Sequence, residues 1–272
     1  MQFASSTCIL GNNLSEETFR AMREAGIETV EVVYHPRFAD PEMRRSLAAW
    51  ISAAGLKVQS LHARFGYVSI SALDERVRAV SLAELLCEME FMCDMGGRCF
   101  VVHSGGLVLH EEKRPEHFRL CRESLKVIAD VCSARGVRLA LEFLPRNCLG
   151  NTCDELLRLI EGIDHGTLGV CLDTNHANIG CDLAEATRAL ARRIFAIHVS
   201  DNDGMVERHW FPYQGVIDWN AFTEAIQASG FSGPCMYEVV CDPKADIPDR
   251  LEFLAKMHRR VWENGSNGGR NG

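Results

Sequence analysis

The chain has 272 residues, 47% of them hydrophobic, enough to bury a large core as one domain or two small ones. Its 37 acidic and 29 basic side chains leave a formal charge of -8, which disfavours nonspecific attraction to the polyanionic surfaces of nucleic acid or membrane. Twelve cysteines lie mostly inside apolar runs with no C-x-x-C pair, so they read as small buried hydrophobes of a reducing compartment rather than a disulfide framework or a thiolate zinc site.

The amino-terminal "MQFASSTCIL" lacks a basic segment followed by a long apolar stretch, and no run elsewhere could cross a bilayer. A soluble, cytoplasmic protein is expected. From "FASSTCI" onward, short apolar, β-branched runs recur with amphipathic stretches of helical length between them. They are "VEVVY" (30–34), "VQSLHA" (58–63), "CFVVHS" (99–104), "RLALEFL" (138–144), "LGVCLD" (168–173), "IFAIHVS" (194–200) and "CMYEVV" (235–240). Before several of them stands a glycine, at Gly26, Gly55, Gly97, Gly136 and Gly230, where a left-handed helix C-cap would lead into the next strand.

Strands apolar on both faces, each followed by a helix, imply parallel pairing with right-handed crossovers. Eight such units predict an α/β fold, a single (β/α)8 TIM barrel over residues 1–263, followed by a disordered Gly/Asn-rich tail over 264–272. A doubly wound open sheet is the rival. Against it, no G-x-G-x-x-G turn follows the first run, "CILGNN" being too sparse.

Polar residues fall at the carboxyl ends of these runs: His62, His103, Glu142, Asp173, His198 and Glu238. In a barrel all these ends open onto one face. The last four supply three carboxylates and one imidazole, an oxygen-rich set that suits Mn2+, Mg2+ or Zn2+ and leaves positions open for substrate oxygens. The plainer alternative pairs each carboxylate with a cation or makes it a helix cap. Four together at equivalent positions favour the ion. Glu142 and Glu238, on opposite sides of such a cluster, could shuttle a proton at a carbon beside a carbonyl of a bound sugar. His62 and His103 are substrate contacts or hydrogen bonders of the barrel mouth, whereas His35, His110, His117, His165 and His258 are expected to be solvated. Trp210, Phe211 and Tyr213 are expected to be exposed, as a lid or an interface.

The segments "SLHARFG", "VVHSGG", "LALEFLP", "GVCLDTNHANIG", "IFAIHVSDNDGMVERHWFPYQGVIDW" and "MYEVV" together resemble the xylose isomerase-like barrel superfamily, in particular its sugar phosphate isomerase/epimerase group. The resemblance implies metal ligation by Glu142, Asp173, His198 and Glu238, with Mn2+ the favoured ion and Mg2+, Co2+ or Zn2+ as alternatives. It makes the two glutamates the acid/base pair, and His176 and His209 contacts to substrate or to a further metal. Two departures stand out. Gly204 occupies the place of a substrate-contacting arginine of ketose 3-epimerases, and Arg64 replaces the proline of "HAPF", where with Arg146 it could hold a phosphate or carboxylate.

The implied activity is isomerisation or epimerisation of a small sugar, keto-sugar or sugar phosphate through a metal-stabilised enediolate, in a homodimer or homotetramer. The alternative is a lyase or dehydratase that begins with the same proton abstraction from a keto-sugar or keto-inositol. The resemblance also reaches type IV apurinic endonucleases with three zinc ions, since His62, His103, Glu142, Asp173, His176, His198, His209 and Glu238 match most of that set and Glu207 stands where an aspartate is usual. The acidic net charge argues against gripping a phosphodiester backbone. A relative that only binds would show damage to the ligand set, and none is visible.

Overall fold

The computed structural model describes residues 1–264. Eight strands alternate with the helices: β1 (Phe3–Ser6), β2 (Thr29–Val33), β3 (Lys57–His62), β4 (Cys99–Val102), β5 (Arg138–Glu142), β6 (Leu168–Asp173), β7 (Ile194–Val199) and β8 (Cys235–Tyr237). The helices are α1 (Glu16–Glu24), α2 (Pro41–Ala53), α3 (Glu75–Asp94), α4 (Arg114–Ala134), α5 (Cys153–Ile160), α6 (Thr174–Gly180), α7 (Leu183–Leu190), α8 (Trp219–Ala228) and α9 (Ile247–Asn264). Every strand pairs parallel with its sequence neighbours and β1 closes on β8, so the sheet is a barrel and not an open doubly wound sheet. The tail expected over 264–272 falls outside the described residues except for Asn264, which ends α9.

Strand alternation sorts the side chains. Val30, Val32, Leu61, Leu139, Leu141, Val170, Leu172, Ile197 and Val199 point out to the helices and are buried in the main core. Residues of the other parity point into the barrel, where Cys99, Val101, Ala140 and Cys171 form a small apolar layer. Gly169 keeps room at the bottom of this layer, since a Cβ there would come within 2.5 Å of the Phe195 ring. One step further along each strand the same inward parity carries Glu142, Asp173 and His198.

The junctions between helix and strand follow expectation with one shift. At the end of α3 it is Gly96, with φ +84°, that takes the left-handed conformation, while Gly97 is needed for space because a Cβ would sit 2.4 Å from the Met92 side chain. Six of the twelve thiols are buried as expected, whereas Cys8, Cys93, Cys153, Cys181 and Cys241 are half-buried and Cys87 is exposed. No helix among the described residues is long and apolar enough to cross a membrane.

Of the histidines expected to be solvated, His110 and His165 are exposed, but His117 Nδ1 lies 2.7 Å from the Ser71 carbonyl and His35 Nδ1 accepts from the Arg37 amide. His258 departs furthest: it stacks on Phe3 at 4.6 Å and its Nδ1 meets the Tyr237 hydroxyl at 3.1 Å, because α9 lies across the start of β1 and β8. The loop aromatics are also packed. Phe211 meets Phe253, and Tyr213 stacks against the Arg260 guanidinium, which pins the β7–α8 loop to α9 and leaves Met205, Val206 and Val216 as its exposed apolar residues.

The base of that loop is organised by one buried carboxylate. Asp201 accepts from the amides of Asn202 (2.9 Å), Tyr213 (2.9 Å) and Ile217 (3.2 Å) and from the Trp219 indole (3.1 Å). Asp201→Ala strands these donors and is expected to cost at least about 2 kcal/mol in urea unfolding. Hydrogen exchange at the Tyr213 and Ile217 amides should accelerate with it, and unchanged protection would refute the role. A second expectation concerns acid. Burial lowers the His258 pKa from 6.5 to about 4, so the unfolded chain takes up a proton that the folded chain refuses. Stability should therefore decline as pH falls from 6.5 through about 4, and His258→Gln should flatten that limb of the stability curve.

Candidate metal centre

Glu142, Asp173 and His198 are fully buried at the carboxyl ends of β5, β6 and β7, and Glu238, directly after β8, is almost so. His198 Nδ1 lies 3.1 Å from Glu238 Oε2, 3.6 Å from Glu142 Oε1 and 3.8 Å from Asp173 Oδ2. The four donor atoms lie within 4.8 Å of one another. Both oxygens of Glu142, Asp173 Oδ2, Glu238 Oε2 and His198 Nδ1 are buried with no polar partner outside the cluster of carboxylates and imidazoles itself. Buried, convergent carboxylate oxygens around one imidazole nitrogen, with no lysine or arginine among them, suit a divalent cation, so the donor set fits the metal.

The helix-cap reading of Asp173 also holds, and the two do not compete. Its Oδ1 accepts from the His176 amide at 2.9 Å and starts α6, while Oδ2 is left for the cluster.

His62 and His103 converge on the other oxygen of Glu142, with Nε2 to Oε2 distances of 3.0 and 3.1 Å. His62 is fixed by its Nδ1, 2.8 Å from the Ala63 carbonyl, and Phe65 stacks on His103 at 5.1 Å. On the opposite flank His176 Nδ1 stands 3.3 Å from Glu142 Oε1 and its Nε2 3.4 Å from Glu207 Oε1, which His209 Nε2 reaches at 2.8 Å. His176, Glu207 and His209 thus form a second group of donors with metal-binding spacing. His209 is held there in a left-handed conformation, φ +49°, with its carbonyl accepting from the Val240 amide.

The two arginines do not join this assembly. Arg64 gives its guanidinium to Glu88 and to Glu84 (3.0 Å) and lies over the Tyr34 ring, because the carboxylate of Glu88 is buried on α3 and needs a counter-charge. Arg146 is exposed and donates to the Ile179 carbonyl.

One carboxylate of the cluster, Glu31, does not stand at a strand end. It is fully buried in the middle of β2, accepts from Ser60 Oγ at 2.7 Å, and stands 2.9 Å from His198 Nε2. The signal was available: a lone carboxylate inside "VEVVY", at the inward parity set by its valine neighbours.

Electrostatics follow from crowding anions in a dry place. Burial opposes a proton on His62, but Glu142 outweighs it and lifts the pKa to about 9. Burial is likewise overcome at His209 (about 9) by Glu207, at His176 by Asp173 and Glu142, and at His198 by Glu31 and Glu238. His103 goes the other way, burial and the neighbouring imidazoles lowering it. Despite burial, Glu142 is held well below the usual carboxylate range by His103 and His62, and Glu238 by His198. Asp173 is lifted to about 6 by burial and by Glu142 and Glu238, against the pull of His176.

Among known proteins, the chain is 26% identical over 222 residues to the L-ribulose-5-phosphate 3-epimerase of Escherichia coli, covering 78% of this chain and 76% of that one. It superposes on an L-ribulose 3-epimerase with a TM-score of 0.85 at 23% identity, each chain covered completely. An IolI protein with a bound zinc atom gives 0.85 at 20% identity, with 97% of this chain and 99% of the other covered. At that identity the two structures establish the fold. The xylose isomerase-like TIM barrel model matches residues 19–257, and the chain belongs to that family.

Proposed function

We propose that the protein is a divalent-metal-dependent isomerase or epimerase of a small keto-sugar. The observation that carries the reading is the buried convergence of Glu142, Asp173, His198 and Glu238, with no lysine or arginine among them, at the mouth of a barrel whose relatives include sugar epimerases. Those four residues would hold the cation, with Mn2+ favoured by the oxygen-rich set and Mg2+, Co2+ or Zn2+ as alternatives. A divalent cation supplies a Lewis acid that polarises a carbonyl and stabilises negative charge on the neighbouring oxygens.

Glu142 and Glu238 project from β5 and β8 with two strands between them. Both are held ionised by adjacent imidazoles, so each can accept a proton from a carbon next to a carbonyl. In an epimerisation one takes the proton from one face and the other, protonated, returns it to the opposite face. His62 and His103 fix Glu142 in orientation, and the imidazoles of His103, His176 and His209 offer hydrogen bonds to sugar hydroxyls. The commitment of Arg64 to Glu88 and Glu84 favours an uncharged sugar over a phosphorylated one.

His176, Glu207 and His209 support a second reading in which further ions bind, as in the trinuclear endonucleases. Metal analysis separates the two. One ion per chain is expected, and three ions together with cleavage of abasic DNA would replace the first reading by the second.

With a panel of keto-pentoses and keto-hexoses in deuterated water, the enzyme should introduce deuterium beside the carbonyl of recovered sugar. Glu142→Gln and Glu238→Gln should each slow that exchange by at least about 100-fold. Wild-type rates in both variants would remove the acid/base assignment.

A further inference from the structure

We infer that Glu31, supported by Ser60, is a positioning residue that fixes His198 as a metal ligand through Nδ1. The inference rests on the metal reading of the site and extends it to a strand that supplies no ligand.

Glu31 is fully buried in the centre of β2 and, among the described residues, no lysine or arginine pairs with it. Its two oxygens have separate partners. Oε2 accepts from Ser60 Oγ at 2.7 Å, across the register pair Glu31 and Ser60 of β2 and β3. Oε1 lies 2.9 Å from His198 Nε2, and neither of those two atoms hydrogen-bonds to anything else. A buried ring N–H and a buried carboxylate oxygen at that separation are each other's available partner.

His198 therefore has two different faces. Nε2 looks down at Glu31, while Nδ1 looks up at Glu238, Glu142 and Asp173. A neutral imidazole carries one proton, and a carboxylate, which only accepts, draws that proton to Nε2. The lone pair is then on Nδ1, among the other donors. With the proton on Nδ1 the ring could not ligate there, and an N–H would sit where the cation belongs. The carboxylate also adds negative charge behind the ring and so strengthens its donation to a metal.

Packing alone does not call for a carboxylate at this position. The neighbouring inward positions of the barrel are filled by Cys99, Val101, Ala140 and Cys171, and a small apolar side chain would continue that layer. What sets Glu31 apart is its contact with the ligand histidine.

The test compares Zn2+ affinity of wild type, Glu31→Gln and Ser60→Ala by competition with a chelator. It is joined by a proton–nitrogen NMR spectrum of the zinc-loaded proteins, which reports the His198 Nε2–H. Glu31→Gln should weaken Zn2+ binding about 10- to 100-fold, and the Nε2–H resonance should move upfield as its charged acceptor disappears. Ser60→Ala, which leaves Glu31 in place and frees one of its oxygens, should shift both in the same direction by less. It carries the test by itself if Glu31→Gln does not fold. Affinities within twofold of wild type together with an unmoved resonance would overturn the inference while leaving the metal site standing. Wild-type protein that takes up no divalent ion would instead overturn the metal reading, and this inference with it.

Discussion

Four carboxylates, Glu31, Glu142, Asp173 and Glu238, are buried together at one end of the barrel, and every ion pair that they make among the described residues is with a histidine. Anions removed from water must be answered by positive charge, by protons or by a metal. Without a metal the answer is protons: burial disfavours them on His62, His176, His198 and His209, yet the carboxylates outweigh burial and hold them there, and Asp173 holds its own proton up to about pH 6. A divalent cation offers the same compensation at a single point and releases those protons. The raised imidazole pKa values and the fitness of the site for a metal are thus one property, set by the density of buried negative charge.

The barrel makes that density attainable. Parallel strands in register bring the last inward positions of β5, β6 and β7 side by side, with Asp173 directly opposite His198 and Glu142 opposite Cys171. Below them the layer of Cys99, Val101, Ala140 and Cys171 excludes water, so the charges act on one another in a medium of low polarity. The same dry floor makes an unpaired atom costly, which is why the ring of His198 has a partner on both sides.

The fold was legible because its signals are local. Two-faced apolar runs, the glycine after most helices and polar residues where the runs stop all repeat along the chain, and six of those stops are the six residues gathered at the mouth. Glu31 escaped because attention to strand ends passes over a residue in mid-strand, where only its parity tells that it faces the cluster. The engagement of Arg64 depends on Glu88, which lies 24 residues away on α3, and no spacing rule links the two. Phe211, Tyr213 and His258 differ from expectation for a related reason: their packing depends on where α9 crosses the barrel, a tertiary fact that hydrophobic periodicity does not encode.

The division of labour within the site follows from these placements. The atoms proposed to move protons stand on or next to strands, where both neighbours fix the backbone, whereas Glu207 and His209 stand on the β7–α8 loop. That loop is clamped at its base by Asp201, by the pairing of Asp201 with Trp210 and by Tyr213 on α9, while Met205 and Val206 at its tip are exposed. Rigid ends and a free tip let the exposed side chains of the loop vary while the strand backbone that carries the carboxylates stays fixed. His176 joins the two regions, since it touches Glu142 with one nitrogen and Glu207 with the other. A change in the loop can therefore reach Glu142 through His176 and Glu238 through His209, whose Nδ1 lies 3.2 Å from the Glu238 carbonyl, and in the proposed reaction these two imidazoles would be where substrate selection and proton transfer meet.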